Sequence, residues 1–235
     1  MNIIKSVRDE VLVPIHPAGW PFILLFFGVT AVISYLWAWF LLPGSFLCLW
    51  CIYFFRNPVR TTPVTGNLVI SPADGRVLST GVVNVPADLN LPEGAWRRIS
   101  IFMNVFDVHV NRAPVAGKVV DTAYHAGAFV NASLDKASEQ NERQNMVLEM
   151  ASGQRIGVVQ IAGLVARRIL LDAAVGDYLN VGQQYGIIRF GSRVDVWLPA
   201  ETPVLVLPGQ TAVAGETILA DLSGHADELA EMVRR

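Results

Sequence analysis

At 235 residues, the chain is long enough for one well-packed domain, or for one domain with a small appendage. Its content of 52% apolar and only 16% charged residues is unusual for a soluble globular protein. The formal net charge is -2, and no basic stripe with interleaved aromatic residues is present, which argues against nucleic acid as a partner.

The excess of apolar residues lies near the N-terminus, where no Asp, Glu, Lys or Arg occurs between Glu10 and Arg56. Trp20–Leu42 is long enough to cross the ~30 Å hydrocarbon core of a membrane as one helix. A Pro-Gly pair at 43–44 interrupts this run, and Ser45–Phe55 continues it over a shorter stretch. The composition therefore predicts two apolar helical stretches in sequence.

Positive side chains flank the apolar segment on both sides: Lys5 and Arg8 precede it, and Arg56 and Arg60 follow it. Because positive residues favour the cytoplasmic side, this pattern predicts a hairpin that enters and leaves a membrane on its cytoplasmic face. Residues 1–60 are therefore interpreted as a segment associated with the cell membrane, which either spans the bilayer or only dips into it. The alternative is a buried core hairpin of a soluble protein.

The two cysteines, Cys48 and Cys51, both lie inside this segment. A Cys-x-x-Cys pair can hold zinc or carry out redox chemistry. A structural zinc site needs four ligands, however, and neither a second pair nor a His cluster is nearby. We interpret both cysteines as packing residues and predict no metal site.

From Asn67 onward, short β-branched runs alternate with Gly, Pro, Asn and Asp. Many short strands with regular turn signals are typical of a sandwich or barrel, so we predict a mainly β domain over residues 61–235. The expected strands are Leu68–Ile70, Gly75–Val82, Arg98–Phe106, Gly117–Ala123, Met146–Met150, Arg155–Ile161, Ile169–Leu171, Tyr185–Phe190, Arg193–Leu198 and Val204–Leu207. Short helices are expected at Ala87–Gly94, Ser138–Arg143 and Ala226–Arg235. The run VAGETIL at 213–219 is typical of compact lipoyl-like β modules.

The Gly191-Ser192 junction lies between two of these strand-like runs. Glycine adopts backbone angles that other residues avoid, and it lets other groups approach the main chain closely. Such a setting allows a serine hydroxyl to attack the preceding carbonyl group and form an ester. Elimination would leave dehydroalanine, which hydrolyses to a pyruvoyl group. Taken by itself, the dipeptide is more simply interpreted as a turn.

A serine hydroxyl is a poor nucleophile unless a base removes its proton. The chain has four histidines, of which His109 directly follows an apolar strand, where functional loops are often held. By contrast, His16 adjoins the apolar segment, His125 lies among Gly and Ala, and His225 lies near the polar tail.

A catalytic histidine is usually held by a carboxylate. Asp74 is the leading candidate for this role, although Asp-Gly is also a turn signal. Asp107, two residues from His109, is the alternative.

Four stretches together resemble the phosphatidylserine decarboxylases, specifically their short prokaryotic form. They are SPADGRV at 71–77, FDVHVNRAPVAGKV at 106–119, NASLDKASEQNER at 131–143 and RFGSRVDVWLP at 189–199, and they occur in the family's order. The resemblance implies a proenzyme that cuts itself between Gly191 and Ser192 into a β chain, 1–191, and an α chain, 192–235. It also implies that Asp74, His109 and Ser192 form the self-cleavage triad.

The cofactor that this resemblance implies is pyruvate, as a covalent pyruvoyl group derived from Ser192. This group would form a Schiff base with the amine of phosphatidylserine, and loss of CO2 would give phosphatidylethanolamine. His109 is the expected proton donor. The lipid phosphate needs a cation, and the candidates are Arg112, Lys118, Arg189 and Arg193. The expected partners are phosphatidylserine in the membrane and the two chains, which stay associated; a homo-oligomer is left open.

Two features depart from the longer relatives. Those carry two histidines three residues apart, whereas this chain has His109 followed by Arg112. Either His109 serves both cleavage and decarboxylation, or Arg112 takes over part of the work. The junction also reads Gly-Ser-Arg, where longer forms commonly have Gly-Ser-Thr or Gly-Ser-Ser.

Two other functions are compatible with parts of the sequence. One is a non-catalytic, membrane-anchored lipoyl-like module that binds a partner protein. The other is a pyruvoyl decarboxylase for a soluble amino acid, which the apolar N-terminus disfavours.

Overall fold

The computed structural model describes residues 13–127, 132, 140–163, 168–189 and 191–224. The chain divides into two compact units, 1–59 and 60–235. Strands make up 38% of the structure and helices 19%, which confirms a mainly β fold with an apolar helical N-terminal segment.

Two apolar helices form the first unit. After a 3-10 turn at Pro17–Gly19, helix α1 spans Trp20–Leu36; a second 3-10 turn at Ala38–Phe40 leads into helix α2, Leu41–Phe54. The expectation that the first helix runs to Leu42 was therefore wrong, because the chain turns at Trp37, whose backbone is extended. Pro43 does not break a helix, since it lies in the first turn of α2, where an N–H group would have no helical partner.

Small residues allow the two helices to pack closely. A Cβ added at Gly44 would lie 2.4 Å from the Thr30 methyl group, so α1 fills the space above this glycine. The Thr30 hydroxyl also lies 3.5 Å from the Cys48 sulfur. Both Cys48 and Cys51 are buried and unoxidised, in agreement with their interpretation as packing residues.

The two ends of this helical pair lie side by side. The His16 N–H donates to the Phe55 carbonyl at 2.8 Å, and the Asn57 N–H donates to the Pro14 carbonyl at 2.6 Å. Many large apolar side chains are exposed between these ends, among them Leu24, Leu25, Val32, Leu42, Phe46 and Leu49. Among the described residues, one helix, Pro17–Leu36, is long and apolar enough to cross a membrane, whereas α2 belongs to a shorter apolar stretch. Lys5 and Arg8 lie outside the described residues.

Fourteen strands build the described part of the second unit. Their bounds are β1 Leu68–Ile70, β2 Gly75–Ser79, β3 Val82–Asn84, β4 Ala95–Met103, β5 Val110–Arg112, β6 Gly117–His125, β7 Arg143–Glu149, β8 Arg155–Ala162, β9 Ile169–Leu171, β10 Tyr178–Leu179, β11 Gln184–Ile188, β12 Ser192–Pro199, β13 Thr211–Ala212 and β14 Ile218–Asp221. The main sheet has nine strands in the order β10-β6-β7-β8-β12-β4-β2-β13, with β3 beside β4. Two small sheets, β5-β11-β9 and β1-β14, complete the unit.

Strand β12 is the centre of the main sheet, between β8 and β4, and antiparallel to both. It is buried from Ser192 to Leu198 because apolar residues cover both faces of the sheet. Val194, Val196 and Leu198 pack into the larger core on one face, while Trp197 packs with Leu89, Trp96 and Ile161 on the other. Since side chains alternate along a strand, Ser192 shares the face of Val194, and Arg193 shares the face of Trp197.

Several expected elements differ from the structure. Ala87–Gly94 forms turns and not a helix, because Leu89 and Leu91 reach into the sheet and pack against the position of Gly157. Val204–Leu207 pairs only through Val204, opposite Ala220. Arg143 begins β7 where a helix was expected; Ser138 and Glu139, like Ala226–Arg235, lie outside the described residues. The short strands β3, β5, β10, β13 and β14 were not expected.

Candidate active site

The Gly191-Ser192 junction lies where the chain enters the central strand. Gly191 has φ +70°, a conformation that residues with a side chain rarely adopt. Ser192 is the first residue of β12 and pairs with Met103 of β4 and Ala162 of β8. Its side chain is fully buried, and its Oγ lies 3.9 Å from the Met103 sulfur, a weak hydrogen-bond acceptor. The hydroxyl is therefore shielded from water and only weakly bound.

The carbonyl group of Gly191, which Ser192 would attack, is held by the main chain of Gly163. The Gly163 N–H donates to the Gly191 oxygen at 3.0 Å. A Cβ at position 163 would lie 2.3 Å from the same oxygen, so this approach requires glycine. A fixed N–H donor at a reacting carbonyl is the arrangement that stabilises negative charge developing on its oxygen.

His109 contacts the peptide that precedes the junction, through the N–H of Gly191. The Gly191 N–H donates to His109 Nε2 at 3.2 Å, and the His109 Nδ1 lies 3.0 Å from the Asp107 carbonyl oxygen. Because a carbonyl oxygen only accepts hydrogen bonds, Nδ1 carries the ring proton and Nε2 holds the lone pair. The buried imidazole thus presents the nitrogen of a base to the junction. We call His109, Gly163, Gly191 and Ser192 the junction cluster.

A tight turn fixes the carbonyl group that holds His109. The Asn104 N–H donates to the Asp107 carboxylate at 2.8 Å, and the Asp107 N–H donates to the Asn104 carbonyl at 3.0 Å. Asp107, the alternative carboxylate in the sequence, therefore contributes its main-chain oxygen to His109, while its carboxylate caps the turn.

Two buried amides lie behind the junction cluster. The Gln160 amide donates to the Asn111 side-chain oxygen at 2.8 Å, and the Asn111 amide lies 3.7 Å from the same Met103 sulfur that faces Ser192. Residues two apart on an extended chain face the same side, so Asn111 and His109 both face the sheet surface that carries Ser192. The Gln160 side-chain oxygen has no hydrogen-bond partner in the part of the chain that is described.

Asp74 belongs to a different group of polar residues, which we call the charged cluster: Arg60, Asp74, Arg112 and Glu216. One Asp74 carboxylate oxygen accepts from Arg60 at 2.7 Å, and the other accepts from the Ala214 N–H at 2.7 Å. Burial lowers the pKa of Arg112, and so does the charge of Arg60, whereas Asp74 and Glu216 act in the opposite direction.

A family model described as phosphatidylserine decarboxylase matches residues 47–220, more than half of the chain. The chain belongs to the phosphatidylserine decarboxylase family. It is therefore a carboxy-lyase of phospholipid biosynthesis that acts on phosphatidylserine, and its family is generally pyruvoyl-dependent. The match extends from helix α2 to strand β14 and contains both the junction cluster and the charged cluster.

The four cations considered for the lipid phosphate occupy different parts of this decarboxylase. Arg193 is 1% exposed, and two of its nitrogens donate to the Asp195 carboxylate at 2.6 Å, on the opposite face of the sheet from Ser192. Arg112 belongs to the charged cluster and donates to the Gly182 carbonyl at 3.0 Å. Arg189 lies two residues before Gly191 and is half-buried.

Lys118 lies at the other end of the main sheet. It pairs with Glu149, which in turn pairs with Arg155 at the start of β8, whereas Ser192 pairs with Ala162 at the end of β8. Seven residues of β8 separate Arg155 from Ala162, so the two positions are about 23 Å apart at the usual rise per residue. Lys118 is thus remote from the junction of the decarboxylase.

Sequence reasoning missed Gly163, Asn111 and Gln160. A glycine directly after an apolar strand is a signal of close backbone approach and could have drawn attention to Gly163. Asn111 and Gln160 are polar residues inside apolar strands, which signals a buried hydrogen-bonding role. Nothing local in the sequence indicates that Gly163 contacts Gly191, or that Asn111 and Gln160 lie near the same Met103 sulfur as Ser192.

Proposed function

We propose that this decarboxylase is a self-cleaving proenzyme, in which Ser192 attacks the Gly191 carbonyl and residue 192 becomes the pyruvoyl group. The mature enzyme converts phosphatidylserine to phosphatidylethanolamine. One observation carries the proposal: the peptide at the junction is held on its carbonyl by Gly163 and on the preceding N–H by His109. A plain turn needs neither a closely fitted N–H donor nor a buried imidazole.

In this proposal His109 and Gly163 have different roles in cleavage. His109 Nε2 takes the proton of the Ser192 hydroxyl, after the imidazole exchanges its hydrogen bond from the Gly191 N–H for one from the serine. The Gly163 N–H stabilises the negative charge that develops on the Gly191 oxygen during the attack. The Asp107 carbonyl keeps His109 in the required tautomer throughout.

Residue 192 suits a pyruvoyl group, because it is buried and begins the central strand. A pyruvoyl group supplies an electron sink for the bond to CO2. In the mature enzyme His109 Nε2 carries a proton beside residue 192, so one histidine serves both stages.

Asp74 supports the reaction by holding its loop. Its carboxylate joins Arg60 to the Ala214 N–H, and the adjoining Pro72 carbonyl accepts the Arg112 N–H of β5 at 2.9 Å. Since β5 directly follows His109, this loop positions the strand on which the base depends. We therefore assign Asp74 a positioning role within the triad that the family resemblance implies.

The two chains stay associated after cleavage, in this proposal, because the smaller one supplies the centre of the fold. Strand β12 lies between β4 and β8, β13 pairs with β2, and β14 pairs with β1. Removing residues 192–235 would expose the buried surface of β12 on both faces, so separation is strongly unfavourable.

The apolar helices would bring the enzyme to its substrate at the cell membrane, with the catalytic unit on the cytoplasmic side. The adjacent ends of the helical pair and its exposed apolar side chains support a hairpin that enters and leaves on one side. At ~1.5 Å per residue the 14-residue helix α2 is about 21 Å long, shorter than the ~30 Å core of a bilayer. We propose that the pair dips into the bilayer from one side without crossing it.

The deciding experiment is a denaturing gel of the purified protein, followed by mass spectrometry of the fragments. The wild type should yield residues 192–235 as a fragment with a blocked N-terminus, and Ser192→Ala should yield only the intact chain. Ser152→Ala, in an exposed turn, is the matched control and should cleave as the wild type does.

The cleaved enzyme should convert phosphatidylserine but not free serine, which separates it from a decarboxylase for soluble amino acids. A wild type that remains intact, and behaves like Ser192→Ala, would refute self-cleavage and favour a non-catalytic lipoyl-like module.

A further inference from the structure

The buried amide of Gln160 lies on the face of the main sheet that carries Ser192. Ser192 is directly opposite Ala162 and Val194 is directly opposite Gln160, so Gln160 is the diagonal neighbour of Ser192 on β8. Diagonal neighbours in a sheet are about 7–8 Å apart, which is within reach of a long side chain. Because Ala162 carries only a methyl group, no large side chain of β8 separates Gln160 from residue 192.

Hydrogen bonds fix the direction in which the Gln160 amide points. A thioether sulfur accepts hydrogen bonds and donates none, so Asn111 directs its NH2 group to the Met103 sulfur, at 3.7 Å. The Asn111 oxygen therefore faces Gln160, whose NH2 group donates to it at 2.8 Å. The Gln160 oxygen is left at the end of this chain of hydrogen bonds.

This oxygen is a buried acceptor without a donor. Gln160 is 1% exposed, and within the described ranges its side-chain oxygen has no hydrogen-bond partner. On the same face, Val158, Ala162 and Val194 carry no donor, and Gln144, directly opposite on β7, donates to the Asn145 carbonyl at 3.1 Å instead. Since buried polar groups in folded proteins are nearly always paired, we expect a ligand to supply the missing donor.

The substrate of the family brings a donor to this position. Phosphatidylserine carries an amine, a carboxylate and a phosphodiester, of which only the amine donates hydrogen bonds at neutral pH. In the proposed function, the same amine reacts with the pyruvoyl group at residue 192. An acceptor diagonal to residue 192 therefore lies beside the place where the amine arrives.

We propose that the Gln160 oxygen accepts a hydrogen bond from the amine of the serine headgroup and so holds it at residue 192. Asn111 acts through Gln160 as a positioning residue, because it keeps the amide in the required orientation. An uncharged acceptor suits this role, since a carboxylate would favour the protonated amine, which has to lose a proton before it reacts. The assignment deepens the proposed function and rests on it for the place of the reaction.

The binding test uses full-length protein treated with sodium borohydride, which reduces the ketone of a pyruvoyl group and so prevents reaction with the amine. Calorimetry compares dihexanoyl phosphatidylserine with its deamino analogue, in which hydrogen replaces the amino group. Gln160→Met keeps the length of the side chain and removes the acceptor. Binding of phosphatidylserine should weaken roughly tenfold or more, as for loss of a hydrogen bond to a charged group, and binding of the deamino analogue should not change.

Gln144→Met is the matched control, because it makes the same change at the position directly opposite Gln160. It should bind both ligands as the wild type does. Asn111→Leu is a second variant, which leaves Gln160 in place but frees its amide to rotate. It should weaken binding of phosphatidylserine by less than Gln160→Met does, again without affecting the deamino analogue. Should Gln160→Met fail to fold, the Asn111→Leu comparison decides.

Kinetics of the untreated, cleaved enzyme provide a further measurement. Gln160→Met should raise the KM for dihexanoyl phosphatidylserine roughly tenfold and change kcat by a smaller factor, because the hydrogen bond forms before the reaction begins. A fall in kcat at constant KM would contradict a role in holding the amine.

Equal effects of Gln160→Met on the two ligands, including no effect on either, would overturn the assignment and leave Gln160 as a packing residue of the sheet. The fragment pattern on a denaturing gel is a separate result. An intact wild-type chain would refute the proposed function, whereas the comparison of the two ligands needs no turnover and would still decide the role of Gln160.

Discussion

Two polar clusters adjoin strand β5, and they are built in opposite ways. The junction cluster is buried and carries no formal charge in the tautomer that its hydrogen bonds fix, and two of its contacts use main-chain N–H groups. The charged cluster brings two arginines and two acidic residues together around the loop of Asp74. Main-chain donors are already in position when charge develops, so the first arrangement suits chemistry and the second suits holding a loop.

The same comparison explains how one histidine can serve both self-cleavage and decarboxylation, although Arg112 stands where longer relatives have a second histidine. Alternation along the strand directs His109 and Asn111 to one side of β5 and Arg112 to the other. Arg112 therefore shares a cluster with Asp74 and not a face with His109. Its position three residues after His109 is consistent with support of the loop, while proton transfer is assigned to the imidazole alone.

The largest expected effect is that of Gly163→Ala. Its methyl group would lie 2.3 Å from the Gly191 oxygen, so the N–H donor must move away from the carbonyl. Self-cleavage should slow by roughly 100-fold or more, as for loss of one oxyanion donor. The rate can be followed by pulse labelling during cell-free synthesis and a denaturing gel.

Gly81→Ala provides the control, because an added methyl group there would meet no atom within 4 Å. If Gly163→Ala cleaved as fast as this control, Gly163 would have no part in activating the carbonyl.

A second contrast separates the base from the loop. His109→Gln should reduce the cleavage rate by roughly 100-fold to 10,000-fold, because it removes the general base. Asp74→Asn should slow cleavage by at most roughly tenfold, or about 1.4 kcal/mol of activation free energy, since it acts through the position of β5. The same pulse labelling measures both, and equal losses would show that Asp74 acts directly on the imidazole.

Asp74→Asn should instead lower the stability of the folded protein. Both side chains of the Arg60–Asp74 pair are about 15% exposed, so the change removes the charged partner of the half-buried Arg60. The free energy of unfolding should fall by roughly 2 kcal/mol, measured by urea denaturation of the uncleaved Ser192→Ala protein. Glu149→Gln breaks a more exposed pair and should cost less than about 1 kcal/mol. Equal losses would mean that the charged cluster is no more than a surface pair.

The smallest effect concerns an ion pair that belongs to neither cluster. Burial raises the pKa of Asp88, but the hydrogen bonds and charge of Arg143 outweigh this and lower it below its ordinary value of 3.8. A lowered pKa stabilises the fold above pH 3.8, and this contribution is lost as the pH falls through the folded-state pKa.

The stability difference between the wild type and Asp88→Asn should therefore be less than about 1 kcal/mol at pH 7 and shrink below pH 3.8. Urea midpoints across this range measure it. A difference that grows as the pH falls below 3.8 would contradict the lowered pKa.

The sequence by itself determined the apolar helical segment and most of the longer strands, because hydrophobic runs and turn residues are local signals. Strands Leu68–Ile70 and Ile169–Leu171 agree with the prediction at both ends. Short strands such as β5 and β13 carry too few residues for a pattern of their own. A helix was expected at Ala87–Gly94, yet packing of Leu89 and Leu91 against Gly157 holds this segment in turns.

For the candidate site, the sequence predicted Gly191, Ser192 and His109, and it did so through the resemblance of four stretches to a known family, because the dipeptide by itself indicates only a turn. Only the tertiary structure brought Gly163 to the Gly191 carbonyl and fixed the tautomer of His109 through the Asp107 oxygen. It also separated Arg189 from Arg193, which is buried with Asp195 on the other face of the sheet. Main-chain hydrogen bonds depend on which strands pair, and strand pairing joins residues far apart in the chain, so no local pattern could have predicted them.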